Sequence, residues 1–163
     1  MPLSIRPAPP ALVSPLYNGA AAAAPWGAVN RAVFMRFYLP IASPFRYLNW
    51  VCGTQSGNVQ LGVVSLSGTD RTTYTRVMNS GVIACPAAGN IRTDLGLTLL
   101  QSGDYAMFLW ADNTTFQTRT STASGNQALR FHGIASSLVS GVGTSGTLSW
   151  DVALVNLSLE ADV

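Results

Sequence analysis

Few residues of this chain could act as nucleophiles, bases or metal ligands: it has one histidine, two cysteines and seven carboxylates. A catalytic serine needs a histidine base that is itself oriented by an acid. The single histidine, His132, lies inside the predicted strand Leu129–Leu138, and no Gly-x-Ser-x-Gly turn occurs. The sequence therefore predicts no catalytic residue, and a structural or interfacial role for His132.

The sequence also lacks the residue patterns that bind metals or cofactors. Cys52 and Cys85 are 33 positions apart, and with one histidine they cannot make the usual tetrahedral zinc set. Residues 141–146 formally match G-x-G-x-x-G, but a dinucleotide site needs a helix after that loop, and Leu148–Val152 has the pattern of a strand. The carboxylates are not spaced like a calcium loop. We therefore expect no metal and no cofactor. We favour two free thiols at Cys52 and Cys85, and a disulfide between them remains the alternative.

Binding of a carbohydrate is the other site-like possibility. Trp110, Asp112 and Asn113 stand at the end of a predicted strand and could form a platform on which a sugar stacks. The alternative is that Trp110 packs at a subunit interface while Asp112 and Asn113 make the turn. Both interpretations remain open from the sequence.

The charge content restricts the class of partner. Charged residues make up 10% of the chain, against roughly 25% in ordinary soluble domains. All nine basic residues are scattered arginines and the net charge is +2, so we expect no nucleic-acid partner. No apolar run reaches the ~20 residues of a spanning helix, and no signal-peptide core follows the start, so we expect no membrane partner.

From residue 31 onward the hydrophobic residues alternate with a period of two. In Arg31–Leu39, for example, Val33, Met35 and Phe37 share one face, as in a strand. Nine or ten such segments follow one another, with turn residues every 8–12 positions and no helical pattern. The sequence predicts an all-β domain over residues 31–163, a β-sandwich of jelly-roll-like type.

Residues 1–30 differ because proline is dense there and blocks sheet pairing. Apolar side chains are also frequent, so we expect an extended Pro/Ala-rich N-terminal arm that lies on another surface. A segment that packs back on its own domain is the alternative. The residues expected to make the arm contacts are Pro9, Pro10, Leu12, Leu16, Tyr17 and Trp26.

Two predicted strands are apolar on both faces and therefore need two apolar neighbours. Because exposed apolar faces mark subunit contacts, we expect a homo-oligomer, with a trimer favoured. The candidate interface residues are Ala106, Phe108, Trp110, Ala153, Val155 and Leu157.

The stretch from Trp50 to Thr115 resembles β-sandwich virion proteins of tailed bacteriophages, namely head-decoration, head-fibre and minor tail proteins. The elements that carry the resemblance are residues 56–63 (SGNVQLGV), the turn at residues 67–69 (SGT), residues 80–81 (SG), residues 86–89 (PAAG) and residues 99–115 (LLQSGDYAMFLWADNTT). The chain departs from the family pattern at Val64–Leu66, which stands where the pattern has an acidic hairpin entry and makes this strand more apolar.

The resemblance implies a non-enzymatic structural protein of the virion, assembled in the host cytoplasm and partnered by major capsid or other virion proteins. A capsid-decoration role is favoured because the chain is one short domain without a fibre repeat. A minor tail or fibre protein that binds a carbohydrate or host receptor is the alternative.

Overall fold

The computed structural model describes residues 12–13, 22–120, 132–135, 138–151 and 157–161. Within these ranges the chain is all-β and contains no helix, as the alternating pattern predicts. The strands are β1 (Leu12–Val13), β2 (Ala22–Pro25), β3 (Arg31–Leu39), β4 (Ser43–Thr54), β5 (Asn58–Ser67), β6 (Thr73–Ala84), β7 (Gly89–Leu100), β8 (Gly103–Ala111), β9 (Gln117–Thr120), β10 (His132–Ala135), β11 (Ser145–Thr147), β12 (Ser149–Asp151) and β13 (Leu157–Ala161).

The strands form two antiparallel sheets, which is the arrangement of a β-sandwich. The six-stranded sheet has the order β1-β13-β4-β9-β2, with β7 paired to β4. The seven-stranded sheet has the order β11-β6-β5-β8-β3-β10-β12. The chain changes sheet between β3 and β4, between β4 and β5, and again on each side of β7. Sequence neighbours are thus distributed over both layers.

The main core lies between the sheets and uses one face of each strand. Val33, Met35 and Phe37 of β3 point into it, which confirms the alternation predicted for Arg31–Leu39. Leu48 and Trp50 of β4 meet them from the other sheet with at most 2% of their surface exposed. Burial of an aliphatic or aromatic side chain of this size stabilises a fold by about 1.5–3 kcal/mol.

β6 is longer than the sequence predicts. The Asn-Ser-Gly sequence of residues 79–81 is typical of a turn, but the strand continues through them, with a shift of register opposite Gln60–Gly62. Gly81 adopts φ of +70°, and the hydroxyl of Ser80 accepts a hydrogen bond from the Leu61 N–H at 3.0 Å. Because a side chain replaces the missing backbone partner, the irregularity is a bulge inside a strand rather than a turn.

The described part of residues 1–30 is joined to the sheets of its own chain. Leu12–Val13 pairs with β13 and Ala22–Pro25 pairs with β9. Trp26 is 4% exposed, lies 5.5 Å from the Phe116 ring and donates its indole N–H to the Arg31 carbonyl at 3.0 Å. Trp26 is therefore a core residue and not an arm contact. Pro9, Pro10, Leu16 and Tyr17 lie outside the described residues.

Candidate interaction surface

The outer face of the seven-stranded sheet carries a second apolar cluster. Phe34 of β3, Phe108 and Trp110 of β8 and Tyr74 of β6 meet there, with ring centroids of Phe34 5.3 Å from Tyr74 and 5.8 Å from Phe108. Residues 138–148, which we call the strap, lie over these rings and contribute Leu138, Val142 and Leu148 to the cluster. The sheet is thus covered on both faces by the chain itself.

Hydrogen bonds fix the strap to the sheet at several points. The buried Gln60 side chain accepts a bond from the Val142 N–H at 2.6 Å. The Arg76 guanidinium donates to the Val142 carbonyl, and the Arg76 N–H donates to the Thr144 carbonyl at 2.8 Å. The carbonyl of Leu138 accepts the indole N–H of Trp110 at 2.9 Å. These bonds satisfy loop backbone groups that burial would otherwise leave unpaired.

The glycines that match G-x-G-x-x-G serve this packing. Gly141 has φ of +87°, which disfavours a side chain, and a Cβ there would lie 2.4 Å from the Gln60 oxygen. A Cβ on Gly146 would lie 2.7 Å from the Tyr74 hydroxyl. The loop lets the backbone approach the sheet closely, and the strand β11 that begins within it pairs with β6.

This cover changes the position of the predicted subunit interface. Ala106, Phe108 and Trp110 are at most 2% exposed in the single chain, and the strap covers them, so they present no open face to a sister subunit. Ala153 and Val155 lie outside the described residues. The Leu157 backbone pairs with that of Trp50 in the six-stranded sheet.

The predicted sugar platform is also absent from the surface. Trp110 is 2% exposed, so no face of its ring is open for stacking. The carboxylate of Asp112 accepts bonds from the Asn58 N–H at 2.9 Å and the Asn58 amide at 2.7 Å, and the Asn113 amide oxygen accepts the Phe116 N–H at 2.9 Å. Burial would raise the pKa of Asp112, but the bonds from Asn58 and Asn113 outweigh it and hold the pKa below its ordinary value. Asp112 and Asn113 therefore make the turn.

A second carboxylate is held between two arginines. Asp104 accepts a bond from Arg36 at 2.8 Å through one oxygen and from Arg71 at 2.8 Å through the other. Burial would raise the pKa of Asp104, but the two guanidinium hydrogen bonds outweigh it and hold the pKa below its ordinary value. Arg71 itself adopts φ of +56° and donates to the Gly68 carbonyl at 2.7 Å. The cluster ties the β5–β6 turn to β8 and has the form of a structural ion pair.

The exposed face of β4 and β7 carries a third group of charges. Arg46 donates to the Asp94 carboxylate at 3.0 and 3.1 Å, and the Arg92 guanidinium lies 3.5 Å from the centre of the Tyr47 ring. The bonds from Arg46, together with the Gly96 N–H, lower the pKa of Asp94. Arg92 and Asp94 alternate with inward-facing residues of β7, whereas the consecutive Arg46 and Tyr47 both lie outside the core because the ladder is irregular between Phe45 and Tyr47.

The same end of this sheet exposes aliphatic side chains. Leu97 is 63% and Leu99 is 59% exposed, and Ile41, just before β4, is 70% exposed. Leu99 pairs with the exposed Pro44. We call these four residues the edge patch. Leu95 has the same parity as Leu97 yet is buried, because the ladder is interrupted between Phe45 and Tyr47 and Gly96 has φ of +80°. The sequence pattern alone places all three leucines on one face, so sequence reasoning missed the patch.

Cys52 and Cys85 are free, buried thiols whose sulfur atoms lie 3.5 Å apart. Burial and the neighbouring Cys85 thiol raise the pKa of Cys52 from 9.0 to about 12. The thiol is therefore protonated at neutral pH and a poor nucleophile. The pair joins β4 of one sheet to the residue after β6 of the other.

Among the described residues, no group of three or more histidines, cysteines or carboxylates is close enough to hold a metal ion. His132 stands in β10, opposite Met35 on one side and Asp151 on the other. No helix in the described ranges is long and apolar enough to cross a membrane. No protein-family model, curated protein or solved structure matches this chain. The exposed face of β4 and β7, with the edge patch at its end, is the candidate for contacts between proteins.

Proposed function

We propose that this chain is a non-enzymatic structural protein of a tailed-phage virion, a jelly-roll-like capsid-decoration protein that forms homo-oligomers on the particle. Its resemblance to phage virion proteins over Trp50–Thr115 supports this. In the described structure the glycine of the first segment, Gly57, has φ of +60° before β5, and Gly89 has φ of +143° at the start of β7. Those glycines therefore stand where the chain must turn.

The edge patch is the observation that carries the assembly role. Three aliphatic side chains that are 59–70% exposed lie at one end of a single sheet in a chain with only 10% charged residues. Such grouped exposure is typical of surfaces that become covered by another protein. Because the strap covers Phe108 and Trp110, the edge patch replaces them as the surface expected to contact a virion protein.

The absence of enzymatic activity is part of the proposal and is supported by how the carboxylates are used. Asp94, Asp104 and Asp112 each accept hydrogen bonds that hold loops or strands together. Bonds to guanidinium and backbone N–H groups keep these carboxylates charged, which suits an ion-pair role rather than proton transfer. The alternative of a minor tail or fibre protein uses the same surface, without the Trp110 platform.

Purified virions of the phage that encodes this chain provide the test. We expect the chain among the proteins of intact particles, with antibody label on the head in electron micrographs. Label confined to the tail would favour the alternative, and absence from purified particles would overturn the proposal.

Variants of the edge patch sharpen the same experiment. Particles that lack the chain are mixed with purified protein, and the bound fraction is measured after sedimentation. We expect L97S/L99S to lose binding and V139S, a change at a 76% exposed valine of the strap, to retain it. Equal binding by both variants would remove the edge patch from the proposal.

The N-terminal arm needs a shorter deletion than residues 1–30. That deletion would remove Trp26 from the core and the strands at Leu12–Val13 and Ala22–Pro25 from their sheets. Deletion of residues 1–11 tests the arm without these losses. If the arm lies on a neighbouring protein, the shortened chain folds but binds particles less well than the full chain.

A further inference from the structure

Among the described strands, β7 stands at the edge of its sheet. Residues Gly89–Asp94 and Thr98–Leu100 pair with β4, and no other described strand pairs with β7. The opposite side of the strand therefore presents backbone N–H and C=O groups on which another strand can add.

Charges on an edge strand commonly prevent such pairing, but here Arg92 and Asp94 can also meet their counterparts in a second copy. In its own chain Asp94 accepts hydrogen bonds from Arg46, and Arg92 lies over the Tyr47 ring. Arg92 and Asp94 have opposite signs, stand two residues apart and lie on the outer face. If a second β7 runs antiparallel with Thr93 opposite Thr93, each Arg92 stands opposite the Asp94 of the other copy. Opposite charges that face each other across strands attract.

The inner face of β7 fits in the same register. Thr93 accepts the Trp50 indole N–H at 3.0 Å, Leu95 is buried and Ile91 packs against the core, so all three side chains point inward. Antiparallel pairing about Thr93 places each Ile91 opposite the Leu95 of the other copy. Both faces of the strand are then matched, one by charge and one by apolar contact.

The backbone in this region is regular. Gly89–Asp94 pairs with Tyr47–Cys52 without a shift, and the irregularity follows after Asp94. With Thr93 on the axis, the regular part supplies Arg92–Asp94 of each copy, and Leu95, opposite Ile91, stands where the interruption begins. The interruption therefore limits the pairing to a few residues. So short an interface predicts weak association, with dimers forming only at high protein concentration.

We propose that two copies of this chain associate through β7, antiparallel and with Thr93 on the two-fold axis. This pairing rests on the proposed function, because it specifies how the expected homo-oligomer forms. An isologous contact of this kind joins subunits in pairs. It therefore predicts a dimer, or an oligomer built from dimers, in place of the trimer expected from the sequence.

Sedimentation of the full chain from about 1 to about 100 µM tests the pairing, because short interfaces associate weakly. We expect the mass to rise towards twice the 17.2 kDa of one chain. R92E places like charges opposite each other twice, and so does D94R. Each variant should raise the dimer dissociation constant by about thirtyfold.

Mixing the two variants gives the decisive result. In a mixed dimer Glu at 92 of one chain faces Arg at 94 of the other, and Asp94 faces Arg92, so attraction returns at both positions. We expect the mixture to dimerise although neither variant does so alone. D70R, which reverses an exposed charge in the β5–β6 turn, is the matched control and should dimerise like the unmodified chain.

The outcomes separate this pairing from the proposed function. A chain that stays monomeric at about 100 µM overturns the pairing, as does an oligomer whose mass R92E leaves unchanged. Neither result bears on whether the chain is found in virions.

Should D94R fail to fold, the variant T93C gives a second measurement. Mild oxidation should cross-link two copies of T93C, because residue 93 lies on the two-fold axis. The control N90C, which lies away from the axis, should not be cross-linked. Equal cross-linking of both would also overturn the register.

Discussion

The side chain of Gln60 and the backbone of Val142 exchange two hydrogen bonds across the outer face of the seven-stranded sheet. The Val142 N–H donates to the Gln60 oxygen at 2.6 Å, and the Gln60 amide donates to the Val142 carbonyl at 3.5 Å. The same amide donates to Asn79 at 2.7 Å. One buried side chain thus provides hydrogen-bond partners for the N–H and carbonyl of Val142 and holds the strap over the aromatic cluster.

We expect Q60L to destabilise the fold because it removes these partners while the Val142 N–H stays buried. An unsatisfied buried group costs about 1–3 kcal/mol, so the free energy of unfolding in urea should fall by about that amount. Q55L is the matched control. Gln55 is exposed and donates one bond to the Cys85 carbonyl, and its loss should cost about 0.5 kcal/mol. Equal losses for the two variants would mean that Gln60 does not hold the strap.

Trp110 provides a separate measurement of how firmly the cluster is packed. W110A should lower the free energy of unfolding by about 3–5 kcal/mol, because it opens a cavity beneath the strap. W110F keeps an aromatic ring but removes the indole N–H that bonds to the Leu138 carbonyl. Its free energy of unfolding should therefore fall by about 1 kcal/mol. Y38A, a change at a 63% exposed aromatic residue, should stay within about 0.5 kcal/mol. A stable W110A that lost only the ability to bind a glycan would restore the sugar-platform interpretation.

Local alternation predicts the strands of this fold but not what covers them. The two apolar faces of β8 can be identified from the sequence, and the need for two apolar neighbours follows. The neighbour on the outer face is the strap, whose bonds to Gln60 and Trp110 span 82 and 28 positions along the chain. Such long-range contacts leave no periodic signal in the sequence, so the strap resembles an ordinary glycine turn.

The exposure of the edge patch and the burial of Trp26 could not be predicted from the sequence, for related physical reasons. One irregularity near Gly96 reverses which side of β7 faces the core, so Leu97 and Leu99 become exposed although Leu95 is buried. Period-two patterns carry no information on where a bulge lies. Trp26 follows a proline-rich segment, but it reaches the core because β2 pairs with β9 immediately before it.

The thiol pair predicts low reactivity in the folded chain. Because the pKa of Cys52 is about 12 rather than 9.0, the thiolate is scarce at pH 8, and burial also blocks access. We expect iodoacetamide to modify Cys52 and Cys85 slowly in the native protein and rapidly in urea, as measured by mass spectrometry. A single exposed thiol introduced by S67C serves as the reactive control. Rapid native alkylation of Cys52 would show that the two sheets separate readily at this end.

Oxidation of the same pair should stabilise the fold. Two thiols that give up two electrons and two protons to an added oxidant, such as oxidised glutathione, would form a bond closing a loop of 33 residues. Loop closure of that length reduces the entropy of the unfolded chain and is worth about 3–4 kcal/mol. We expect a higher urea midpoint after oxidation, reversed by a thiol reductant and absent in C85S. An oxidised chain of lower stability would mean that the bond strains the sheets.

The Asp104 cluster makes stability depend on pH in a defined direction. The pKa of Asp104 in the folded chain lies below its ordinary value, so the folded state favours the charged carboxylate. The resulting stability is fully present above the unfolded pKa of ~3.9 and is lost as the pH falls through the lower, folded pKa. D104N should therefore be less stable than the unmodified chain at pH 7, and the difference between them should shrink below about pH 4. Urea unfolding at a series of pH values measures both the stability of each variant and its change with pH.

The double variant R36Q/R71Q removes both guanidinium partners of Asp104 but leaves the carboxylate buried. It should raise the pKa of Asp104 and weaken the dependence of stability on pH in the same range. A difference that persists unchanged at low pH would show that the arginines do not stabilise the charged form.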